Sequence, residues 1–153
     1  MSAAMSELLE APASAPDEGY ALDAQVGFIL RQVHQRHTGL FAATFGDAVT
    51  PTQWAALAKL HEVGECSQNL LGRLIAVDVA TIKGVVERLA KRGHLAMRPD
   101  PGDRRRLILA LTEAGVAAYR RLEPLAHAVT EETLLPLSAA ERAMLLPLLA
   151  KLR

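Results

Sequence analysis

The segment "DRRR", Asp103 to Arg106, sets three consecutive guanidinium groups directly after a Pro-Gly turn. Arginine on a protruding turn neutralises phosphate, and it favours the strong negative potential of a narrow DNA minor groove. Asp103 stands two residues before Arg105 and can brace it by a charge-assisted hydrogen bond. A second set of chemically capable residues comprises Arg31, His34, His37, Thr38, Trp54 and His61. A ring to stack and a charge to neutralise suit a small aromatic carboxylate. The alternative is that these histidines pack at a subunit interface. A metal is disfavoured: His34 and His37 are three apart, His61 is remote, and no cysteine or carboxylate cluster joins them. No metal and no cofactor is therefore expected. The single cysteine, Cys66, excludes an intrachain disulfide and reads as structural rather than redox-active.

Charge is segregated along a chain of 153 residues whose formal net charge is zero. Residues 1–30 hold acids but no Lys or Arg, whereas residues 83–106 hold eight cations against Glu87, Asp100 and Asp103. Such a stretch is either an electrostatic footprint for a polyanion or a solvated face. The chain opens without a basic leader and has no run of 18 apolar residues, so a cytoplasmic protein with no membrane partner is expected. No Gly-rich phosphate loop, Cys–His pair of catalytic spacing or metal box is present, so no catalytic residue is assigned and the reading is not an enzyme.

The elements that must position these residues are mainly helical. Leu and Ala are abundant and aromatics are only 4%. Residues 1–20, with Pro12, Pro16 and Gly19, read as a mobile tail that includes a short helix near its start. Residues 22–46 carry apolar residues at helical spacing. "TPTQW" opens a second helix with Thr50 as N-cap, Pro51 at the first position and Gln53 completing a capping box. Ser67 caps a short third helix. Asp78 caps a fourth, ended by Gly93, whose buried stripe should be Val79, Ile82, Val85 or Val86, and Leu89. Two strands, 94–100 and 106–112, flank the turn "PGDRR". Thr112 caps the next helix, expected to reach about Leu122 and to be kinked or interrupted at Pro124, with a segment over 125–134 as its alternative continuation. Ser138 and Glu141 form a capping box for the last helix, which Pro147 should bend. The fold class is mainly α with a small β-hairpin: a winged helix-turn-helix with long N- and C-terminal helices.

The order of elements and the segment "ERLAKRGHLAMRPDPGDRRRLILALTEAG" resemble the multiple-antibiotic-resistance-regulator (MarR) family. The D-x-R wing (Asp103, Arg105), the "LT" that ends the strand and the "EAG" after it all fall in register. The resemblance covers roughly residues 23–153 and implies one MarR-like domain over 21–153. Its winged lobe would span about 51–112, and its dimerisation helices about 22–46 and 113–153. It implies a homodimer that binds a double-stranded, pseudo-palindromic operator, usually as a repressor, and that a small effector releases.

On that reading Ser67, Gln68 and Asn69 open the third helix toward phosphates, with plain capping as the alternative for Ser67. Ala80, Thr81 and Lys83 lie on the outward face of the fourth, where a Thr methyl meets thymine and Lys meets guanine or phosphate. Arg88 is a phosphate contact or a surface partner. Arg105 is the minor-groove side chain, and Arg104 contacts phosphate. Family ligands commonly sit between the first helix and the DNA-binding lobe, which would set Arg31, His34, His37 and Thr38 facing Trp54 and His61. Two other classes compete: a helical interaction module with only non-specific DNA affinity, and a small enzyme using His34, His37 and His61. Salt-resistant preference for one DNA sequence separates the first reading from both.

Overall fold

Side-chain caps set five helix starts in the computed structural model, which describes residues 19–153. Of the tail expected over 1–20, residues 1–18 lie outside the described residues. A 3-10 turn, Leu22–Ala24, precedes helix α1, Val26–Phe45. Helix α2, Pro51–Val63, begins with the expected Thr50–Gln53 capping box and ends at Gly64, whose φ is +82°. Strand β1, Glu65–Ser67, runs directly into α3, Gln68–Leu74, where the Ser67 hydroxyl accepts from the Leu70 amide. Helix α4, Val79–Lys91, is capped by Asp78, and the Thr81 amide hydrogen bond holds that carboxyl below its usual pKa. Strands β2, Leu95–Pro99, and β3, Leu107–Leu111, form the wing. Helix α5, Glu113–Leu134, is capped by Thr112, and α6, Ala139–Ala150, by the Ser138–Glu141 box.

The described residues divide into two units, and the boundary, between His34 and Gln35, falls within α1. The second unit holds the core. Leu57 and Leu60 of α2, Leu71 of α3, Ile82, Val85, Val86 and Leu89 of α4 and Leu109 of β3 are fully buried together. Both valines of the pair 85–86 face inward, so the two-fold choice left by the spacing resolves to both.

Three expectations need correction. The wing is not a two-stranded hairpin: β1 pairs antiparallel with β3, giving the order β1-β3-β2 with Cys66 and Met97 both opposite Leu109. Val79, expected in the buried stripe, is 71% exposed, because it opens the helix beyond the edge of the core. Helix α5 runs unbroken through Pro124 to Leu134. Pro124 and Arg120 are both exposed, and the proline leaves the Arg120 carbonyl without its i+4 donor.

Candidate nucleic-acid interface

The wing tip is built on two carboxylates. The Asp100 Oδ1 accepts from the Gly102 amide at 2.8 Å, and the Asp100 amide donates to the Arg106 carbonyl at 2.9 Å. Asp103 accepts through one oxygen from both the Arg105 amide (3.0 Å) and the Arg105 Nε (3.3 Å). The expected brace between Asp103 and Arg105 is present. It leaves the Arg105 side chain 93% exposed, projecting from a tip whose backbone is fixed. Arg106 turns toward Asp100, with Nε 3.9 Å from Oδ2, and Arg104 is exposed.

A cleft of about 90 Å³ joins Ser67, Gln68 and Asn69 at the start of α3 to Arg105, Arg106 and Leu107 of the wing. The polar helix start and the wing arginines, read separately in the sequence, thus share one anion-compatible recess. Within it Ser67 is buried and its hydroxyl is already engaged as the α3 cap. Gln68 and Asn69 carry the outward-facing chemistry. The strand that makes this closeness possible, β1, is what the sequence did not reveal. Arg98 of β2 reaches across β3 to Glu65 of β1 at 2.8 and 3.0 Å, a second tie between wing and lobe. Exposed pairs of this kind contribute little stability but fix side-chain placement.

Helix α4 presents Ala80, Thr81, Lys83 and Arg88 to solvent, opposite Ile82, Val85, Val86 and Leu89. Lys83 lies 4.0 Å from Glu87 one turn on. Gly84 has a local reason: a Cβ there would stand 3.2 Å from the Arg88 Nη1, so the glycine lets the Arg88 guanidinium lie across the helix. The outward face therefore carries small or apolar side chains at its start, Val79, Ala80 and Thr81, and charged ones beyond, Lys83, Glu87, Arg88 and Lys91. Such a face fits a major groove with little steric demand.

Among the six effector candidates, Trp54 and His61 share one partner and His37 has another. Trp54 and His61 lie seven residues apart on α2, and both stack on Tyr119 of α5, at 5.4 and 3.9 Å between centroids. Both rings lie nearly parallel to Tyr119, and His61 stays exposed to solvent. Burial, with a hydrogen bond to Glu123, raises the Tyr119 pKa. His37 instead meets the far end of α5. Its Nδ1 is 2.9 Å from the Thr133 hydroxyl, which donates to the Val129 carbonyl at 2.7 Å. Since that hydroxyl hydrogen is used, Nδ1 of His37 is the donor. From Thr133 to Tyr119 is about 21 Å along an ideal helix. Next to His37, Arg36 donates to the Thr133 and Glu132 carbonyls at 2.6 and 2.8 Å, capping the α5 C-terminus. Arg31 and His34 are exposed on α1. Thr38 lines a cavity of about 410 Å³ beside the α1–α2 loop. Cys66 is buried against the core, and burial raises its thiol pKa. Among the described residues no group of His, Cys, Asp and Glu has the geometry of a metal site.

A helix pair whose second member is exposed and polar, followed by a sheet-bound wing with an outward arginine, defines a winged helix-turn-helix DNA-binding protein. Residues 49–107 match the model of the MarR family. The chain is 42% identical to the HTH-type transcriptional repressor NicR of Pseudomonas putida, over 92% of this chain and 91% of that one. It is 52% identical to a probable transcriptional regulator of Pseudomonas aeruginosa, over 87% and 100% of the two chains, with a TM-score of 0.83. BpsR of Bordetella bronchiseptica, whose DNA binding is regulated by 6-hydroxynicotinic acid, is 38% identical over 88% and 96%, with a TM-score of 0.84. The chain belongs to the MarR family and is a DNA-binding transcriptional regulator.

Proposed function

We propose that this protein is a homodimeric repressor of the cytoplasm, without a catalytic step, that leaves a pseudo-palindromic operator when a hydroxylated aromatic carboxylate binds. The observation that carries the reading is the near full-length similarity to a repressor and to a 6-hydroxynicotinate-regulated protein, on a lobe that presents α4 and Arg105 outward. Ala80, Thr81 and Lys83 contact base edges, and Gln68, Asn69, Arg88 and Arg104 contact phosphates. Arg105, held by Asp103, enters the minor groove. Dimerisation is supported by α6, none of whose residues is buried although Met144, Leu146, Leu148 and Leu149 are exposed on it. A helix this apolar is stable when another chain covers it.

The test is fluorescence anisotropy with DNA from upstream of the protein's own gene, at two salt concentrations and against scrambled DNA. Tight, sequence-dependent binding is expected, weakened by roughly 1–3 kcal/mol in Arg105→Ala and reversed by 6-hydroxynicotinate. If a genome-wide selection yields no fragment bound better than scrambled DNA, the regulator reading of these residues is wrong.

A further inference from the structure

Helix α4 opens on an exposed valine. Val79, its first residue, is 71% exposed, and Ala80 and Thr81 beside it are exposed as well. No charged side chain follows until Lys83, one turn on. The polar groups of that first turn are used within the turn itself. The Asp78 carboxylate accepts from the Thr81 amide at 2.7 Å, from the Thr81 hydroxyl and from the Ala80 amide. A carboxylate in that place occupies the amides that a phosphate would take, and its charge repels phosphate. The start of α3 differs: its cap is the neutral Ser67, and Arg105 and Arg106 line the same recess. Phosphate is suited to the start of α3 and disfavoured at the start of α4. What α4 offers there is methyl groups.

That chemistry selects a base. The major groove of DNA displays one apolar group, the C5 methyl of thymine. In helix-turn-helix proteins the N-terminal residues of the recognition helix are those that reach base edges. An isopropyl group set against the amino and carbonyl groups of a G·C pair desolvates them without pairing them, which costs affinity. Against thymine it buries methyl on methyl and brings no polar group of its own that needs a partner.

We propose that Val79 is a specificity-determining residue and that it reads the C5 methyl of a thymine at one fixed position in each half of the operator. Ala80 lines the same contact, and Thr81 adds its methyl while its hydroxyl is held by Asp78. This inference rests on the reading that α4 enters the major groove of an operator. It adds which base chemistry the helix selects at its start, and it assigns readout there to methyl contact without a hydrogen bond. Lys83, Glu87 and Arg88, further along the same face, carry the charged part of the readout.

The experiment uses the full-length protein and the operator fragment that a genome-wide selection yields. Each thymine of the half-site is replaced in turn, in both halves, by deoxyuridine, which removes only the C5 methyl. Anisotropy measures the affinity of wild type, Val79→Ala and Lys83→Ala for every fragment, and calorimetry checks that both variants fold. At one thymine the replacement is expected to weaken wild type by about 4-fold per half-site, the transfer of one methyl group, and so by about 15-fold for the pair. Val79→Ala is expected to bind the thymine operator more weakly and to lose most of the distinction between thymine and uracil at that position alone. Lys83→Ala, which removes a different contact, keeps the distinction. A structural role for Val79 would weaken binding to the thymine and uracil fragments by the same factor. If wild type and Val79→Ala differ by one factor on every fragment, the inference is overturned and the regulator reading stands. If no fragment is bound better than scrambled DNA, the regulator reading falls and takes this inference with it.

Discussion

Replacing Gly115 by alanine should damage the junction where α5 meets the segment between α4 and β2. Gly115 lies in the first turn of α5, buried against the segment that links α4 to β2. A Cβ at this position would stand 2.0 Å from the His94 carbonyl oxygen, 2.9 Å from its carbon and 3.3 Å from its Cα. Close carbon–oxygen contacts in proteins settle near about 3.3 Å, so main chain must move by roughly 1.3 Å. No side chain is available to yield. The movement strains two bonds made by the α5 cap, from the Thr112 hydroxyl to the Gly93 carbonyl at 2.6 Å and from the Thr112 amide to the His94 carbonyl at 3.1 Å. Overpacking costs about 1–3 kcal/mol, and each strained bond about 0.5–1.5 kcal/mol, for a total of about 2–6 kcal/mol. For a chain of this size the thermal midpoint falls by roughly 5–20 °C. The assay is calorimetric unfolding at fixed protein concentration, because subunit association shifts the midpoint by mass action. A midpoint within about 2 °C of wild type would refute the close approach of α5 to this turn.

Two further outcomes follow from buried groups. His94 has a buried Nδ1 with no hydrogen-bond partner among the described residues, and burial, then Arg92 and Arg121, push its pKa down. A base with a depressed folded-state pKa contributes full stability above its unfolded value, about 6.5, and loses it as pH falls below that. Wild type should therefore lose more stability than His94→Gln between about pH 7.5 and 5.5, and parallel unfolding curves would contradict the burial of the ring. The Cys66 thiol, raised by burial, should react slowly with a disulfide reagent in the native protein and at the rate of a free thiol in urea. Fast native labelling would place it at the surface.

Local chemistry made most of the helix starts legible. Thr50 with Gln53, Ser67, Asp78, Thr112 and Ser138 with Glu141 each satisfy amides within three residues, so their signature is contained in a short window. The brace from Asp103 to Arg105 was readable for the same reason. What escaped depends on distant partners. Three residues, "ECS", have no periodicity of their own and become a strand only because Ala110, Leu109 and Ile108 lie alongside. The stacking of Trp54 and His61 on Tyr119, far along the chain, has no signature in a short window. Pro124 would break a helix enclosed by protein but is tolerated on an exposed face of α5. Arg92 looked like one more cation in a basic stretch, and only its reach to Ala48 distinguishes it.

The strand β1 has a consequence for the DNA this protein can accept. A hairpin hinged only at its two ends could tilt to follow small changes in its target. Here the hairpin shares a sheet with the segment that begins α3, and Arg98 is latched to Glu65 across it. The spacing between the outward face of α4 and Arg105 is therefore set by the shared sheet. If α4 and Arg105 contact bases as proposed, adding one base pair between those contacts should cost one of them, read as weaker operator binding. Operator spelling and operator spacing are, for this fold, the same specification.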